Sequence, residues 1–361
     1  MQLHLTPAKR VLFIILLLLL ISVVAFSCLL LYLTVTEYNP PDMEPVTITS
    51  GAVRSISPGD SLSIMTWNIG YCALGDNSDF FMDGGRQVQT ATPERVLANM
   101  VGITDTLIQQ NTDICFLQEV DVDSARSYTL NAMSRISTVL SERDSAFAAN
   151  YKVAFVPYPI PPIGRVNSGI ATFSAFPIEY ADRIQLPCPF SWPVRVGNLK
   201  RCLLVSRIPL KDTDRELVLI NLHLEAFDDG SGKVAQAASL REYMNAELEK
   251  GNYLIVGGDF NQRFSNVDGS AYPEYEGKWH PGLLNVSDFS DGYTFVMDNT
   301  VPSCRSLDQP YAGADHSTFQ YYLIDGFIVS PNVQIDLIST LDLGFVSSDH
   351  NPVVMKVTLL P

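Results

Sequence analysis

The chain has 361 residues, of which 47 % are hydrophobic, and a formal net charge of −15 from 24 basic and 39 acidic side chains. Residues 1–60 contain three basic and four acidic groups, so the remainder carries −14. Proteins that coat nucleic acid, or bind lipid surfaces through basic patches, need Lys and Arg to neutralise phosphates, so this composition argues against both classes.

The hydrophobic excess is concentrated near the N-terminus. Residues 11–36 carry no charge, and the first 20 of them are almost entirely apolar. As an α-helix this run would extend about 39 Å, enough to cross a hydrocarbon core of about 30 Å. Lys9 and Arg10 precede the run and acidic residues follow it. The positive-inside rule therefore predicts a cytoplasmic segment 1–10, a transmembrane helix 11–36 and an extracytoplasmic remainder.

A cleaved signal peptide is the alternative to a retained anchor. Residues 25–28 faintly resemble a cleavage site or a lipoprotein cysteine site, but leucines continue the apolar run past it. The length therefore favours an anchor. Residues 37–61 are rich in Pro, Ser and Thr and are predicted to form a stalk. On an oxidising outer face Cys188 and Cys202 could form a disulfide, but the sequence leaves their pairing open.

Beyond the stalk, short apolar runs alternate with turn signals. They predict strands over 62–67, 113–120, 152–156, 169–173, 202–208, 217–224, 253–256, 322–329 and 353–359. Helical patterns predict helices over 93–110, 124–140 and 233–250, the first with Thr92 as its N-cap. Several strands are apolar on both faces, as in sheets that are covered on each side. Residues 62–361 are therefore predicted to form one α/β domain of packed sheets.

Polar side chains stand at the ends of two early strands. Asn68 ends the first strand and by itself is better explained as a turn-forming residue. Glu119 ends a strongly apolar strand, where a carboxylate is costly unless it is paired or bound to a metal. A hard cation such as Mg²⁺ takes one or two carboxylates together with waters and substrate phosphate. Glu119 is therefore a candidate metal ligand.

Two later strands carry similar groups. Asn221 and His223 share one face of a strand, although a lone strand histidine is more often structural than catalytic. Asp259 and Asn261 follow Gly257-Gly258, two glycines that would let backbone and ligand approach closely. A carboxylate and an amide aimed at one point suit a metal-bound phosphate, although this segment is also typical of a tight turn.

The C-terminal part contains a histidine next to acids. Asp349-His350 precedes the last strand, and Asp325 lies on another late strand. A carboxylate beside a histidine holds the imidazole in one tautomer and stabilises its charged form.

Six segments can be read together in chain order: Trp67-Asn68, Gln118-Glu119, Asn221-Leu222-His223, Gly258-Asp259-Phe260-Asn261, Ile324-Asp325 and Ser348-Asp349-His350-Asn351-Pro352. This set resembles the endonuclease/exonuclease/phosphatase superfamily, which includes deoxyribonuclease I, abasic-site endonucleases, neutral sphingomyelinases and inositol polyphosphate 5-phosphatases. The resemblance extends from about residue 62 to the C-terminus. It implies a four-layer α/β/β/α sandwich and Mg²⁺- or Mn²⁺-dependent cleavage of a phosphoester, here by a membrane-anchored monomer.

The resemblance also implies roles for a metal and phosphate set. Glu119 would be the principal metal ligand, with Asn68 supporting the metal or the phosphate and Asp349 as a further acid near the metal. Asn261 would hold a phosphate oxygen. Asn167 occupies the family's mid-chain phosphate-side position, in a motif that is looser here.

The same resemblance assigns the proton chemistry. Asp259 would orient or activate the attacking water. His350 would stabilise developing charge or act as acid or base, with Asp325 as its carboxylate partner. His223 matches a second catalytic histidine of the nuclease and sphingomyelinase branches. Phosphoryl transfer needs a metal, a positioned water and stabilised phosphate oxygens, and this set supplies each of them.

The substrate stays open between a phospholipid headgroup, a small phosphodiester and nucleic acid. Residues 70–86 are either a lid beside the site or a surface insertion. Residues 156–165 either present Tyr158 and Arg165 to a substrate or form a rigid connector. The sequence lacks a basic stripe interleaved with aromatics, which disfavours a non-specific nuclease. A catalytically inactive relative that binds an extracytoplasmic partner is the alternative function, but the complete set of acids and histidines favours catalysis.

Overall fold

Two seven-stranded sheets packed face to face form the centre of the protein in the computed structural model, which describes residues 6–290 and 292–361. The strands, numbered along the chain, are β1 (Met43–Pro45), β2 (Ile48–Thr49), β3 (Ser61–Asn68), β4 (Ile114–Asp121), β5 (Asp144–Val156), β6 (Gly164–Ser174), β7 (Tyr180–Gln185), β8 (Cys202–Pro209), β9 (Glu216–His223), β10 (Tyr253–Asp259), β11 (Gln262–Phe264), β12 (Gly282–Leu284), β13 (Thr294–Val296), β14 (Cys304–Arg305), β15 (Tyr321–Tyr322), β16 (Asp325–Val329), β17 (Val333–Thr340) and β18 (Val353–Leu359). Sheet A has the order β1-β7-β8-β9-β10-β16-β13 and sheet B the order β17-β18-β3-β4-β6-β5-β2.

The α-helices are α1 (Pro7–Val35), α2 (Pro93–Gln110), α3 (Ala132–Val139) and α4 (Ser231–Glu249). Helices α2, α3 and α4 complete a four-layer sandwich, whereas α1 is exposed along most of its length. Buried apolar side chains of α2 and α3 pack on sheet B, and those of α4 pack on sheet A. A third apolar layer lies between the sheets. The predicted α/β/β/α architecture is confirmed.

Strand β4 illustrates why both faces of its sheet are apolar. Ile114 and Phe116 point into the layer between the sheets, whereas Cys115 and Leu117 point to the layer under α2 and α3. Strand β10 alternates in the same way between the central layer and the layer under α4. Side chains alternate with period two along a strand, so a strand covered on both sides has no polar face.

One predicted helix is confirmed at both ends and one is divided. Helix α2 begins after Thr92, whose side chain accepts a hydrogen bond from the Arg95 amide at 3.3 Å, and it ends at Gln110 as predicted. The predicted helix 124–140 is instead a short 3-10 turn followed by α3. Asn131 caps α3 by accepting a hydrogen bond from the Ser134 amide at 2.8 Å, so the helix begins there.

The segment predicted to be a free stalk joins the domain. Strand β1 pairs with β7 at the edge of sheet A, and β2 pairs with β5 at the edge of sheet B. Ile56 is 1 % exposed in the layer between the sheets. Prolines are tolerated on edge strands, where one row of backbone groups has no partner, so composition alone did not separate these strands from a linker. The stalk interpretation is therefore corrected for residues 43–56.

Sheet-edge strands and one interrupted strand account for further differences. Strands β7 and β17 lie near sheet edges and alternate with exposed side chains, so they were not predicted. The predicted strand 322–329 is two strands in different sheets, β15 and β16. Cys188 is exposed and Cys202 is buried on β8, and neither forms a disulfide.

Glu247 on α4 supports a prediction about stability and pH. Burial opposes its ionisation, but hydrogen bonds from Arg207, Lys250 and Asn252 lower the pKa of Glu247 to about 2. Because this pKa lies below the unfolded value of about 4.3, the stabilisation is complete above pH 4.3 and is lost as the pH falls towards 2. We expect Glu247→Gln to cost roughly 2 kcal/mol in the free energy of unfolding at pH 7 and about half as much at pH 3. Denaturant unfolding at both pH values checks this, with the exposed Glu242→Gln as control; an equal cost at both would contradict it.

Candidate active site

The predicted polar residues meet at one end of the sandwich. Strands β3 and β4 run parallel, as do β9 and β10, so the carboxyl ends of each pair lie side by side. Asp325 begins β16 opposite Asp259. A cavity of about 350 Å³ lies at this end. It is lined by seven of the predicted site residues, namely Asn68, Glu119, His223, Asp259, Asn261, Asp349 and His350.

Asn68 connects the two sheets at the cavity. Its amide nitrogen donates to Glu119 Oε1 at 3.2 Å on sheet B and to Asp259 Oδ2 at 3.0 Å on sheet A. Its amide oxygen accepts from the Gly70 amide at 3.0 Å, which fixes the orientation of the side chain. Asn68 therefore presents its amide nitrogen to both carboxylates and its amide oxygen to the backbone.

Glu119 enters the cavity through an irregularity in β4. The pairing of β4 with β6 shifts between Leu117 and Val120, and Glu119 has a φ of 55°. Bulges of this kind re-aim a side chain and are common beside active sites. Gln118 faces the other way and donates to Asn221 Oδ1 at 2.8 Å between the sheets. The sequence motif predicted Glu119 as a site residue. Only the bulge explains why its side chain departs from the alternation of side chains along β4 and enters the cavity.

A histidine and two aspartates form the opposite wall. His350 Nδ1 donates to Asp325 Oδ2 at 2.8 Å, and His350 Nε2 lies 3.8 Å from Asp259 Oδ2. His223 Nε2 lies 3.4 Å from the same Asp259 oxygen. The Asp325 amide donates to the buried Ser303 hydroxyl at 3.1 Å. Both imidazoles therefore converge on one carboxylate, and one of them is held by a second.

The two histidines have opposite charge preferences. Burial opposes protonation of His350, but Asp325 raises the pKa of His350 well above its usual value. Burial and the nearby Arg201 lower the pKa of His223 well below its usual value. Groups whose environments separate their pKa values in this way are candidates for acid and base roles. The surroundings therefore favour the charged form of His350 and the neutral form of His223.

The carboxylates around the cavity suit a bound cation. Burial raises the pKa of Glu119 and of Asp349, and burial followed by repulsion from Asp325 raises the pKa of Asp259 to about 7. Burial and repulsion from Asp349 raise the pKa of Asp83 to about 7. Acids that disfavour one another's ionisation in this way are relieved by a divalent metal ion. Two groups, Cys304 with Asp349 and His350, and Asp259 with Asp325 and His350, also lie close enough to share an ion.

Two details of the sequence interpretation need correction. Gly257 and Gly258 do not make room for a ligand: a Cβ at Gly258 would lie 2.0 Å from the Leu222 carbonyl oxygen, and one at Gly257 would lie 2.5 Å from Phe327. They allow neighbouring strands to approach instead. Asn167 does not line the cavity, whereas the next residue, Ser168, does. Side chains alternate along β6, so the two cannot face the same way.

The sequence analysis missed several polar side chains of the cavity, among them Arg126, Asn150, Ser168, Arg201, Glu225 and Arg305. The buried Asn150 amide nitrogen, Ser168 hydroxyl and Arg201 Nε have no hydrogen-bond partner. Buried donors without partners are costly and point to a ligand. No local motif marks these residues, because their positions depend on how β5, β6 and β8 approach the cavity.

The two uncertain loops have different positions. Within residues 70–86, Tyr71, Phe80 and Met82 line the cavity, so this loop is part of the site. Tyr71 packs under the Arg126 guanidinium, 3.7 Å from its ring centroid. In the second loop, Tyr158 is 70 % exposed, and Arg165 pairs with Asp123 at 2.6 Å. Neither of these two lines the cavity.

Comparison with known proteins agrees with this geometry. No curated protein sequence matches the chain significantly. An endonuclease/exonuclease/phosphatase from Beutenbergia cavernae superposes with a TM-score of 0.57 at 17 % identity, covering 83 % of this chain and 72 % of that one. One from Bacteroides vulgatus gives 0.54 at 14 % identity, covering 83 % and 99 %. The catalytic domain of human Nocturnin gives 0.50 at 16 % identity, covering 87 % and 97 %.

The family assignment rests on the sequence match. Residues 65–350 match the Endonuclease/Exonuclease/phosphatase family, and this span contains every predicted site residue. The solved structures, all below 25 % identity, support the fold. The chain belongs to the endonuclease/exonuclease/phosphatase family of phosphoester hydrolases.

Proposed function

We propose that the protein is a membrane-anchored, Mg²⁺- or Mn²⁺-dependent phosphodiesterase whose catalytic domain lies outside the cytoplasm. The observation that carries the proposal is the double hydrogen bond from Asn68 to Glu119 and Asp259, opposite the Asp325–His350 pair, in one cavity. The cavity therefore contains carboxylates that can bind a metal, a carboxylate that can accept a proton from water, and an imidazole that can stabilise charge on the phosphate. A catalytically inactive relative would have no reason to keep all three.

Glu119 and Asp349 are the proposed metal ligands. Both line the cavity, and burial raises the pKa of each carboxyl, as expected where a cation is needed to stabilise the ionised forms. When bound, the ion would polarise a phosphoryl oxygen and offset charge on the substrate. We assign Asn68 a positioning role, because its oxygen is engaged by the Gly70 amide.

The remaining residues carry the proton chemistry. Asp259, with a pKa of about 7, suits the removal of a proton from the attacking water. The charged His350, held by Asp325, stabilises the oxygens around phosphorus or protonates the leaving group. Asn261, whose nitrogen donates to the Leu224 carbonyl oxygen at 2.9 Å, would orient the phosphate, and the neutral His223 would assist Asp259. Asn167 has no direct role in this scheme; Ser168 takes its place on the phosphate side.

The proposed location rests on α1. It is long and apolar enough to cross a membrane, with a mean hydropathy of 3.2 over 18 residues, none of which is buried within the protein. Lys9 and Arg10 at its start support a cytoplasmic N-terminus by the positive-inside rule. A helix of this kind is also typical of signal sequences, so retention of α1 in the mature protein is part of the proposal.

Metal dependence is tested through Glu119. We expect the full chain in detergent to release p-nitrophenol from bis-(p-nitrophenyl) phosphate only with Mg²⁺ or Mn²⁺. Glu119→Gln should raise the Mg²⁺ concentration for half-maximal activity at least about tenfold, because a ligand is lost. Initial rates against Mg²⁺ concentration, after chelation and dialysis, measure this. The exposed Glu249→Gln on α4 is the matched control.

A second readout does not depend on activity. Mg²⁺ should raise the thermal unfolding midpoint of the wild type, since a ligand that binds the folded state stabilises it. Glu119→Gln should lose most of this shift, and its metal-free form should unfold no earlier than the wild type, because one buried charge is gone. The proposal would be contradicted if neither the rate nor the thermal unfolding midpoint of the wild type changed with Mg²⁺ or Mn²⁺.

A further inference from the structure

The C-terminal end of α1 is attached to the segment that follows β7. Trp192 Nε1 donates to Thr34 Oγ1 at 3.1 Å. Leu33 is 4 % exposed, although most residues before it in α1 are exposed. Glu37, just past the helix, is bonded by Lys200 Nζ at 2.9 Å and paired with Arg195 Nε at 3.2 Å. Both ion pairs involve Glu37, whose side chain is only 9 % exposed. The helix therefore leaves the domain at a fixed point rather than through a flexible linker.

The same segment forms part of the cavity's rim. Phe190 lines the cavity, and Trp192, two residues later, contacts α1. Two residues span at most about 7 Å, so the wall of the cavity at Phe190 lies close to the point where the helix emerges. The active site is thus placed at the membrane side of the domain.

The position of Thr34 along α1 gives the depth of Trp192 in the membrane. From Val11 to Thr34 the helix rises about 35 Å, against a hydrocarbon core of about 30 Å, so Thr34 and Trp192 fall in the headgroup region. Trp192 is 52 % exposed and the nearby Val194 is 56 % exposed. Tryptophan is enriched at this level of the membrane, where one part of its ring is apolar and another part donates a hydrogen bond.

We infer that the substrate is the phosphodiester of a bilayer lipid, taken directly from the leaflet in which α1 ends. The inference rests on the proposed phosphodiesterase function and names its substrate class. Residues 190–194, here called the rim segment, lie in the interface, so a lipid headgroup reaches the cavity while its acyl chains stay in the leaflet. Hydrolysis then forms one bond from water oxygen to phosphorus and breaks one P–O ester bond. The water loses a proton and the departing alcohol gains one.

The charges agree with a headgroup and disagree with a long polyanion. The domain carries −14, and the three arginines of the cavity, Arg126, Arg201 and Arg305, lie among five acidic side chains, Asp83, Glu119, Glu225, Asp259 and Asp349. A pocket of about 350 Å³ in an acidic domain suits a compact headgroup better than a long nucleic acid, which needs an extended basic groove. The unpartnered donors of Asn150, Ser168 and Arg201 supply hydrogen bonds for such a headgroup.

The test compares two substrates in one preparation. The full chain is reconstituted into vesicles containing equal parts of phosphatidylcholine, phosphatidylethanolamine, phosphatidylglycerol, phosphatidylinositol and sphingomyelin, and lipid loss is followed by mass spectrometry with Mg²⁺. Hydrolysis of bis-(p-nitrophenyl) phosphate is measured in the same vesicles. Val194→Asp introduces a charge into the rim segment, and Val53→Asp, at a site that is 90 % exposed and outside the rim segment, is the matched control.

We expect Val194→Asp to reduce lipid loss at least fivefold without changing diester hydrolysis, and Val53→Asp to change neither. A wild type that cleaves the soluble diester but consumes no lipid would overturn the lipid inference alone, as would equal lipid loss in both variants. A wild type that cleaves neither substrate would overturn the phosphodiesterase proposal and this inference with it.

Membrane depth is measured independently through Trp192. The chain has three tryptophans, so subtracting the emission of Trp192→Phe isolates this residue. Lipids brominated in the acyl chain should quench the Trp192 emission by at least half. Emission that is insensitive to these lipids, but quenched by aqueous iodide, would place the rim segment in water and overturn the inference.

Discussion

Replacement of His350 by alanine is expected to lower the rate of phosphodiester hydrolysis about 10³-fold. General acid–base or charge-stabilising groups contribute about 10²–10⁴ in rate. His350 lies against both Asp325 and Asp259, which favour its charged form, so its loss removes an imidazole suited to stabilising phosphate charge. Initial rates with bis-(p-nitrophenyl) phosphate at saturating Mg²⁺ measure the effect.

The matched control is His316→Ala. His316 is exposed, stacks on Tyr311 with ring centroids 4.0 Å apart and does not line the cavity, so its loss should leave the rate within about twofold of the wild type. Asp325→Asn should fall between the two, because the imidazole remains but loses its charged partner. Equal rates for His350→Ala and His316→Ala would remove His350 from the proposed chemistry.

Gly258→Ala is expected to have the largest effect on stability. Gly258 has a φ of 150° and faces Leu222 on the neighbouring strand β9. A Cβ there would lie 2.0 Å from the Leu222 carbonyl oxygen, so the two central strands of sheet A must separate. We expect a loss of about 4 kcal/mol and a fall of roughly 10 °C in the unfolding midpoint. Thermal unfolding of the detergent-solubilised full chain measures it.

The contrast is with Gly197→Ala. Gly197 has open space around the position of a Cβ, so its replacement should change the midpoint by no more than about 2 °C. Gly258→Ala should also reduce activity, because Asp259 is the next residue and moves with the strand. If the two variants unfold at the same temperature, the close approach of β9 and β10 is not as described.

The sandwich was largely predictable because its central strands are covered on both faces. Such strands are nearly all apolar, as in Cys115-Phe116-Leu117 of β4 and Leu254-Ile255-Val256 of β10. Edge strands lack this signal. Strands β1 and β2 contain few apolar residues and lie among prolines, so they look like linker until the sheet edges they complete are known.

The acids and histidines of the site were predictable because each ends a recognisable strand. Asn68, Glu119, His223 and Asp259 all stand at the carboxyl ends of parallel strand pairs, which meet at one edge of each sheet. The cavity's arginines could not be found in this way. Arg201 precedes β8 and donates to the His223 carbonyl oxygen at 3.3 Å, a contact between segments 22 residues apart that no local pattern encodes.

Asn167 shows the limit of a resemblance carried over by position. Its motif is loose, and on β6 a shift of one residue exchanges the face on which a side chain lies. Ser168 lines the cavity, and Asn167 instead hydrogen-bonds through its backbone to Ser124 and the residues after β4. A motif without a fixed register predicts the strand but not which of its residues reaches the substrate.

The most direct test of the central claim is the turnover of bis-(p-nitrophenyl) phosphate by the full chain, wild type and His350→Ala, after chelation and again with Mg²⁺ or Mn²⁺. We expect wild-type turnover to be lost on chelation, to return with either metal, and to exceed that of His350→Ala about 10³-fold. Wild-type turnover no greater than that of His350→Ala in both metals would contradict the assignment of this cavity as a metal-dependent phosphodiesterase site.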